Sequence, residues 1–124
     1  MINDGIILPF PQLQYRMDLR LFQLTADFVT PEYTVPEGNF TDGATVPDIL
    51  EPYVNKFDRH LPAAIVHDWM YTHGIGTKKE ADDLFERNLW RCHYAYGFPA
   101  DKIAPMVLAV RKFGKGNFYK RVNI

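Results

Sequence analysis

The feature that most constrains the fold is a helix start in the second half of the chain. Thr77, followed three positions later by Glu80, forms a capping box in which two side chains satisfy free backbone N–H groups. A helix is therefore predicted from Lys78 onward. Its apolar residues lie on one stripe at helical spacing: Ala81, Leu84, Phe85, Leu89, Cys92 and Tyr96. Such a stripe has to be covered, so the rest of the chain must supply its packing partners.

A second helix is predicted just before the capping box, beginning near Pro62 and ending before Gly74. His67 and Tyr71 are four residues apart and share one face of it. At about 100° per residue, Asp82 lies beside the apolar stripe of the following helix, whereas Asp83 points away from it. The two helices are therefore expected to bring His67 and Asp82 into contact.

This pair permits two interpretations. A carboxylate that accepts the Nδ1–H of His67 leaves Nε2 to take a proton from water, which is a general-base arrangement. Asp68, about 100° further round the helix, points elsewhere and is a candidate ligand for a hard cation such as calcium. The alternative is a satisfied polar network that joins two helices, with Tyr71 as a packing aromatic whose hydroxyl binds a carbonyl.

The N-terminal third is predicted to be extended. Residues 1–14 read as an arm laid on another surface, because two prolines follow a short apolar run. Residues 19–36 read as an antiparallel hairpin, since apolar and polar residues alternate along its first strand. Leu19 and Leu21 have the opposite phase, which predicts a bulge near Leu21. A two-stranded hairpin needs further support, so a third strand from the arm is a reasonable addition.

The remaining segments complete a single domain over residues 1–124. Residues 37–60 are predicted to be loop, either a pair of turns or a segment that carries Asp42 toward a cation or His67. Residues 61–114 form a helical core whose third helix begins at Asp101 as cap. Residues 115–124 form a basic, aromatic tail. The predicted fold class is α+β, with a small antiparallel hairpin or three-stranded sheet near the N-terminus packed on three α-helices.

Composition excludes several classes of protein. With 124 residues, 47% of them hydrophobic and 23% charged, the chain can bury a core of its own. A net charge of −1 gives no general attraction to nucleic acid. The one cysteine cannot form an internal disulfide and is expected to be inert core. No segment approaches the roughly 18 to 20 apolar residues of a membrane span.

Four motifs in order resemble one family. They are FTDGATVP (40–47), AAIVHDWMY (63–71), ADDLF (81–85) and AVRKFG (109–114). Together they are similar to domain of unknown function 1353, a family found mostly in bacteriophages and prophages. The resemblance implies a phage or prophage origin. Because the apolar run at residues 5–8 is too short for a signal-peptide core, we expect synthesis in the host cytoplasm, and we expect the protein to be associated with the virion.

The helix motifs also resemble, over residues 63–85, those of the viral-type phospholipases A2. There an H-D-x-x-Y helix supplies a general-base histidine, a calcium-binding aspartate and a supporting tyrosine, and an A-D-x-x-F helix supplies an orienting aspartate. The resemblance implies these roles for His67, Asp68, Tyr71 and Asp82 respectively, with calcium as cofactor.

Three hypotheses about function follow. The first is a virion or tail-associated hydrolase of acyl esters, with membrane lipid as substrate during host entry or release. The second is a structural tail component that binds other virion proteins and in which His67, Asp68 and Asp82 form a buried network. The third, supported only by phage origin and size, is a binder of a host protein.

Overall fold

The computed structural model describes residues 3–41 and 58–113. Within them, five short strands precede three helices. The strands are β1 (Leu13–Arg16), β2 (Leu21–Leu24), β3 (Phe28–Val29), β4 (Thr34–Val35) and β5 (Phe40–Thr41). The helices are α1 (Leu61–His73), α2 (Lys78–Tyr96) and α3 (Ile103–Phe113). The predicted α+β class, with antiparallel strands before three helices, is confirmed. Asp42, most of the predicted loop and the basic tail lie outside the described residues.

The strands form two small antiparallel sheets. β2 lies between β1 and β5 in the first sheet, while β3 pairs with β4 in the second. β1 begins in the last two residues of the arm, Leu13 and Gln14, so the chain before the predicted hairpin does add a strand to the first sheet. β1 and β2 pair without interruption from Leu13 opposite Leu24 to Arg16 opposite Leu21. The bulge predicted near Leu21 is therefore wrong: Leu19 differs in phase because it lies in the loop of that hairpin.

The long first strand of the predicted hairpin is split in the structure. The ladder stops after Leu24 and resumes at Phe28, in a different sheet. One cause is Asp27, whose carboxylate accepts a hydrogen bond of 2.8 Å from the Glu37 backbone N–H and so holds the chain in a bend. Leu24 and Phe28 are nevertheless both buried, while Thr25 and Asp27 are exposed. The alternation therefore predicted the inward-facing side chains but not the continuity of the strand.

The helix ends follow from local chemistry. Thr77 Oγ1 accepts a hydrogen bond of 3.1 Å from the Glu80 N–H, and Glu80 Oε1 accepts one of 3.2 Å from the Thr77 N–H, so the predicted capping box is present. Gly74 ends α1 in the left-handed conformation, at φ 62°, where a side chain would be strained. The third helix was predicted to start at Asp101. A single 3-10 turn, Ala100–Lys102, occupies that place and α3 begins directly after it. None of the described helices is long and apolar enough to cross a membrane.

The core has two parts that meet at α1. One part lies among the three helices and includes Leu8 of the arm, Phe85, Phe98 and Met106. The other lies between α1, α2 and the strands and includes Leu24, Phe28 and Ile65. Ala63 and Ala64 are fully buried, which lets neighbouring backbones approach α1 closely. Cys92 is buried in the helical part and burial raises the pKa of its thiol to about 12.

A buried arginine ties the N-terminal third to the helices. The Arg91 guanidinium donates to Asp4 at 3.0 Å and to both carboxylate oxygens of Glu32 at 2.8 and 2.9 Å. It also donates to Asn88 Oδ1 at 2.8 Å on its own helix. Since a buried guanidinium needs compensating acceptors, these contacts hold the arm and the β3–β4 turn against α2.

Candidate functional site

The candidate site lies where α1 packs against the start of α2. The capping box fixes the first residue of α2, so Asp82 falls in its second turn, facing α1. His67 and Tyr71 are one turn apart on α1 and both are buried. His67 is 4% exposed and Asp82 is 1% exposed. The structure therefore brings together three of the predicted residues, one from α2 and two from α1.

The Asp82 carboxylate is the centre of the hydrogen bonds. His67 Nε2 lies 2.8 Å from Oδ1, and the Tyr71 hydroxyl donates to the same oxygen at 2.7 Å. The Lys78 ammonium donates to Oδ2 at 2.5 Å. Three donors on one buried carboxylate satisfy it almost completely, which accounts for the burial of a charged group.

The ring nitrogen that faces Asp82 is not the predicted one. Nδ1–H was expected to donate to the carboxylate, with Nε2 left for proton transfer, but the structure places Nε2 against Asp82. Nε2 is the nitrogen farther from the backbone, so it is the one that reaches across from α1 to α2. The imidazole is flanked by the rings of Tyr71 and Phe85, with centroids 4.2 and 4.7 Å away. If His67 is a base, its proton-accepting atom is therefore Nδ1.

Electrostatics fixes the protonation states of this group. Burial lowers the pKa of His67, against the opposing effect of Asp82, so the ring is neutral near pH 7. For Asp82, burial alone raises the pKa, but the hydrogen bonds from His67, Lys78 and Tyr71 outweigh it and bring the value down to about 2. An ionised carboxylate can only accept, so Nε2 carries the proton and Nδ1 the lone pair. Burial, and then Asp82, raises the pKa of Tyr71, which keeps its hydroxyl protonated as a donor.

Sequence reasoning missed Lys78. Besides Asp82, its ammonium donates to the carbonyls of Val110 and Arg111 at 3.3 and 3.2 Å. It thereby joins the start of α2 to the end of α3. The four-residue spacing of Lys78 and Asp82 was a usable signal, since such pairs lie on one helix face. The carbonyls of α3 that accept from Lys78 are more than thirty residues away in sequence, so no local pattern predicted those hydrogen bonds.

The predicted calcium ligands do not form a site in the described residues. Asp68 is half-buried on α1 and is not one of the groups that contact Asp82. Asp42 lies outside the described residues. Within residues 3–41 and 58–113, no three histidine, cysteine, aspartate or glutamate side chains come together in a way that could hold a metal ion.

A second buried histidine lies at the other end of α1. His60 precedes the helix, is fully buried and packs against Phe98, with ring centroids 5.4 Å apart. Neither ring nitrogen has a hydrogen-bond partner in the described part of the chain. Burial lowers the pKa of His60 to about 4, opposed by Asp58 and assisted by Lys102. His60 is therefore neutral near pH 7 and makes its contribution by packing.

Asp83, next to the candidate site in sequence, belongs to a separate surface. It pairs with Lys79 at 2.7 Å and with Arg111 at 2.8 Å, and it lines a groove along the outer face of α2. Trp90, Arg91 and Tyr94 also line that groove, and His67 does not. The prediction that Asp82 and Asp83 point in different directions is confirmed.

Comparison with known proteins identifies the family. An uncharacterised protein, y4iH, from Sinorhizobium fredii (strain NBRC 101917 / NGR234) is 33% identical over 76 residues, which cover 60% of this chain and 30% of that protein. The chain therefore matches less than a third of the length of this relative. No solved structure matches the chain. The model of a family described as protein of unknown function, DUF1353, matches residues 22–97, which include α1, the candidate site and α2. The chain is thus a member of the DUF1353 family.

Proposed function

We propose that the protein hydrolyses acyl esters, with His67 as general base and Asp82 as the residue that positions it. One observation carries the proposal: Nε2 lies 2.8 Å from a carboxylate that two further donors hold in place. This contact fixes the ring and its tautomer. It therefore leaves Nδ1 as a proton acceptor of defined direction.

The chemistry would proceed in two proton transfers. Nδ1 takes a proton from water as the water oxygen attacks the carbonyl carbon of the ester. The imidazolium formed is stabilised by Asp82, whose negative charge lies against Nε2. Nδ1 then returns the proton to the alcohol oxygen as the carbon–oxygen bond to the leaving group breaks. General acid–base catalysis of this kind contributes about 10² to 10⁴ in rate. Tyr71 acts through Asp82, because its hydroxyl holds the shared oxygen at 2.7 Å.

Membrane phospholipid is the proposed substrate class, and a phage or prophage setting the proposed context. The protein would then act with other virion or tail proteins during entry or release. The resemblance of the helix motifs to phospholipases supports the lipid substrate. Finding no copies of the protein in purified particles would contradict the virion part of the proposal without touching the chemistry.

The test measures fatty-acid release from mixed phospholipid vesicles. Wild type is expected to release fatty acid, and His67→Ala is expected to lower the rate by about 10² to 10⁴. His73→Ala is the matched control, since His73 is an exposed histidine on the same helix, and it is expected to retain the wild-type rate. Equal background rates for wild type and His67→Ala, in folded proteins, would rule out the hydrolase.

The pH profile gives an independent check. Neutral His67 is the active form, so activity should fall as the pH is lowered through the pKa of the ring. Burial lowers that pKa from its ordinary value of 6.5, so the loss is expected below that pH. A rate that rises as the pH falls from 7 to 5 would exclude His67 as the base.

A second candidate, a structural role, is favoured by Lys78. Its contacts make the Asp82 group a link between all three helices, and His67 is only 4% exposed. In this reading the protein is a non-enzymatic virion component, and the buried network stabilises its fold. The vesicle assay separates the two candidates, because a purely structural network confers no hydrolysis.

A further inference from the structure

The end of the β1–β2 hairpin presents apolar and cationic side chains together. We define the hairpin tip as residues 15–20, which comprise the last two residues of β1 and the loop to β2. Three apolar side chains of the tip are exposed: Tyr15 at 49%, Met17 at 82% and Leu19 at 48%. Arg16 and Arg20 alternate with them, and one acidic residue, Asp18, lies between. The tip therefore carries a net positive charge and an exposed apolar surface.

Side-chain contacts hold the strands directly behind the tip. Tyr15 packs against Phe22 of the neighbouring strand, with ring centroids 5.1 Å apart and the rings tilted by 60°. Arg16 donates to Asp18 at 2.8 and 3.1 Å, to Gln23 at 3.0 Å, and lies 6.0 Å from the Phe40 ring of β5. These contacts hold the strands behind the loop against one another.

The backbone of the loop is strained at one residue, Arg20. Arg20 has φ 56°, and it is the one residue other than glycine with a positive φ in the described part of the chain. Glycine is favoured in that conformation, and an arginine there is strained. A loop that served only to turn the chain would be more stable with glycine at this position.

The size of the tip favours a membrane over a protein as its partner. A standard protein interface buries roughly 800 Å² on each side, which is far more than three side chains of a narrow hairpin provide. Insertion into the headgroup region of a bilayer needs only a few apolar side chains, with cationic groups that contact anionic lipid. Met17 and Leu19 provide the apolar side chains, and Arg20 provides the cationic group. Arg16 is already paired with Asp18.

We propose that the hairpin tip docks the protein on anionic phospholipid membranes, with Met17 and Leu19 inserted between headgroups and Arg20 against lipid phosphates. This inference rests on the proposed function, because it supplies the contact through which a lipid hydrolase would reach its substrate. Docking itself needs neither His67 nor Asp82.

The test is co-sedimentation with vesicles of phosphatidylglycerol and phosphatidylcholine. Wild type is expected to bind, and the double variant Met17→Ser, Leu19→Ser is expected to bind at least about tenfold more weakly. Leu108→Ser is the matched control, since Leu108 is 66% exposed on α3, and it should bind as wild type does. Arg20→Gln should lower binding to anionic vesicles by about fivefold and leave binding to pure phosphatidylcholine unchanged.

Several results would overturn the proposal. One is failure of wild type to sediment with anionic vesicles, and another is a double variant that binds as tightly as Leu108→Ser does. Loss of attachment to purified virions in the double variant, without any vesicle binding by wild type, would instead identify the tip as a protein contact. Circular dichroism and thermal unfolding of each variant verify that the loop changes leave the fold intact.

Hydrolysis of a dispersed short-chain ester separates this proposal from the proposed function. A double variant that cleaves the dispersed ester at the wild-type rate, but loses cleavage of vesicles, supports both. Vesicle binding without any cleavage by wild type contradicts the hydrolase and leaves membrane docking in place.

Discussion

The Asp82 carboxylate links α1 to the start of α2 and, through Lys78, to the end of α3. One oxygen receives two donors from α1, and the other receives Lys78, which also holds two carbonyls of α3. Because the carboxylate is 1% exposed, each donor replaces a water molecule that folding removed. The free energy of unfolding should therefore be sensitive to its charge.

Asp82→Asn is predicted to lower the free energy of unfolding by about 1 to 3 kcal/mol. An amide carries two donors of its own, so it cannot accept from His67, Tyr71 and Lys78 as the carboxylate does, and Lys78 loses its counter-charge. Urea unfolding followed by circular dichroism measures the change. Asp83→Asn is the control, and its effect should stay within about 0.5 kcal/mol because Asp83 is a surface residue. Equal effects of the two substitutions would contradict the central role of Asp82.

The sequence predicted which residues of the candidate site come into contact, but not which atoms make the contacts. Helical spacing was enough to place His67 and Tyr71 on one face and Asp82 beside the apolar stripe. The choice between Nδ1 and Nε2 depends on side-chain torsions and on the distance between helices, which spacing does not contain. The hydrogen bonds from Lys78 to α3 depend on tertiary packing, so the sequence alone did not predict them.

Among the elements, α2 was the most predictable because its start is encoded locally. Both halves of the capping box lie within four residues, and the apolar stripe sets its buried face. β5 shows the opposite case. It has two residues, pairs with β2 from a distance in sequence, and comes from a stretch rich in glycine and polar residues. Such a strand forms only by pairing with β2. Its own sequence therefore carries no strand signal and predicts a loop.

Thr77→Ala is predicted to destabilise the protein by about 1 kcal/mol, because it leaves the Glu80 N–H at the start of α2 without its side-chain acceptor. Thr77→Ser keeps that acceptor and should unfold close to wild type. Thermal unfolding of the three proteins measures the difference. The cap lies one turn before Asp82, so the alanine variant should also lower any hydrolysis dependent on His67. Identical melting temperatures for the alanine and serine variants would show that the cap adds nothing.

For the whole molecule, the buried histidines predict a specific dependence of stability on pH. The pKa of His60 is lowered from 6.5 to about 4 by burial, and the pKa of His67 is lowered as well. At pH values between 6.5 and the lowered pKa of each ring, that histidine binds a proton in the unfolded chain but not in the folded chain. Stability should therefore be greatest above pH 6.5 and fall as the pH is lowered toward 4. The shift at His60 corresponds to about 3 kcal/mol at most.

Urea unfolding at several pH values measures this loss, and His60→Leu provides the comparison. Leucine removes the titrating ring but keeps an apolar contact for Phe98, so the variant should lose less stability between pH 6.5 and 4. Both proteins are expected to lose further stability below pH 4. The pKa of the Asp82 carboxyl is about 2 in the folded protein, so as the pH falls this group takes up a proton in the unfolded chain before it does so in the folded chain. A wild-type stability that stays constant from pH 6.5 to 4.5 would refute the assignment to histidine.

The burial of Cys92 has a practical consequence. The chain has this single cysteine, and its thiol lies in the helical core with a pKa of about 12, so it is neither accessible nor ionised at neutral pH. Maleimide dyes should leave the native protein unmodified, which provides an unlabelled background. A cysteine introduced in place of Met17 would then accept one fluorophore, and the emission of that dye would report on the polarity around the loop in real time.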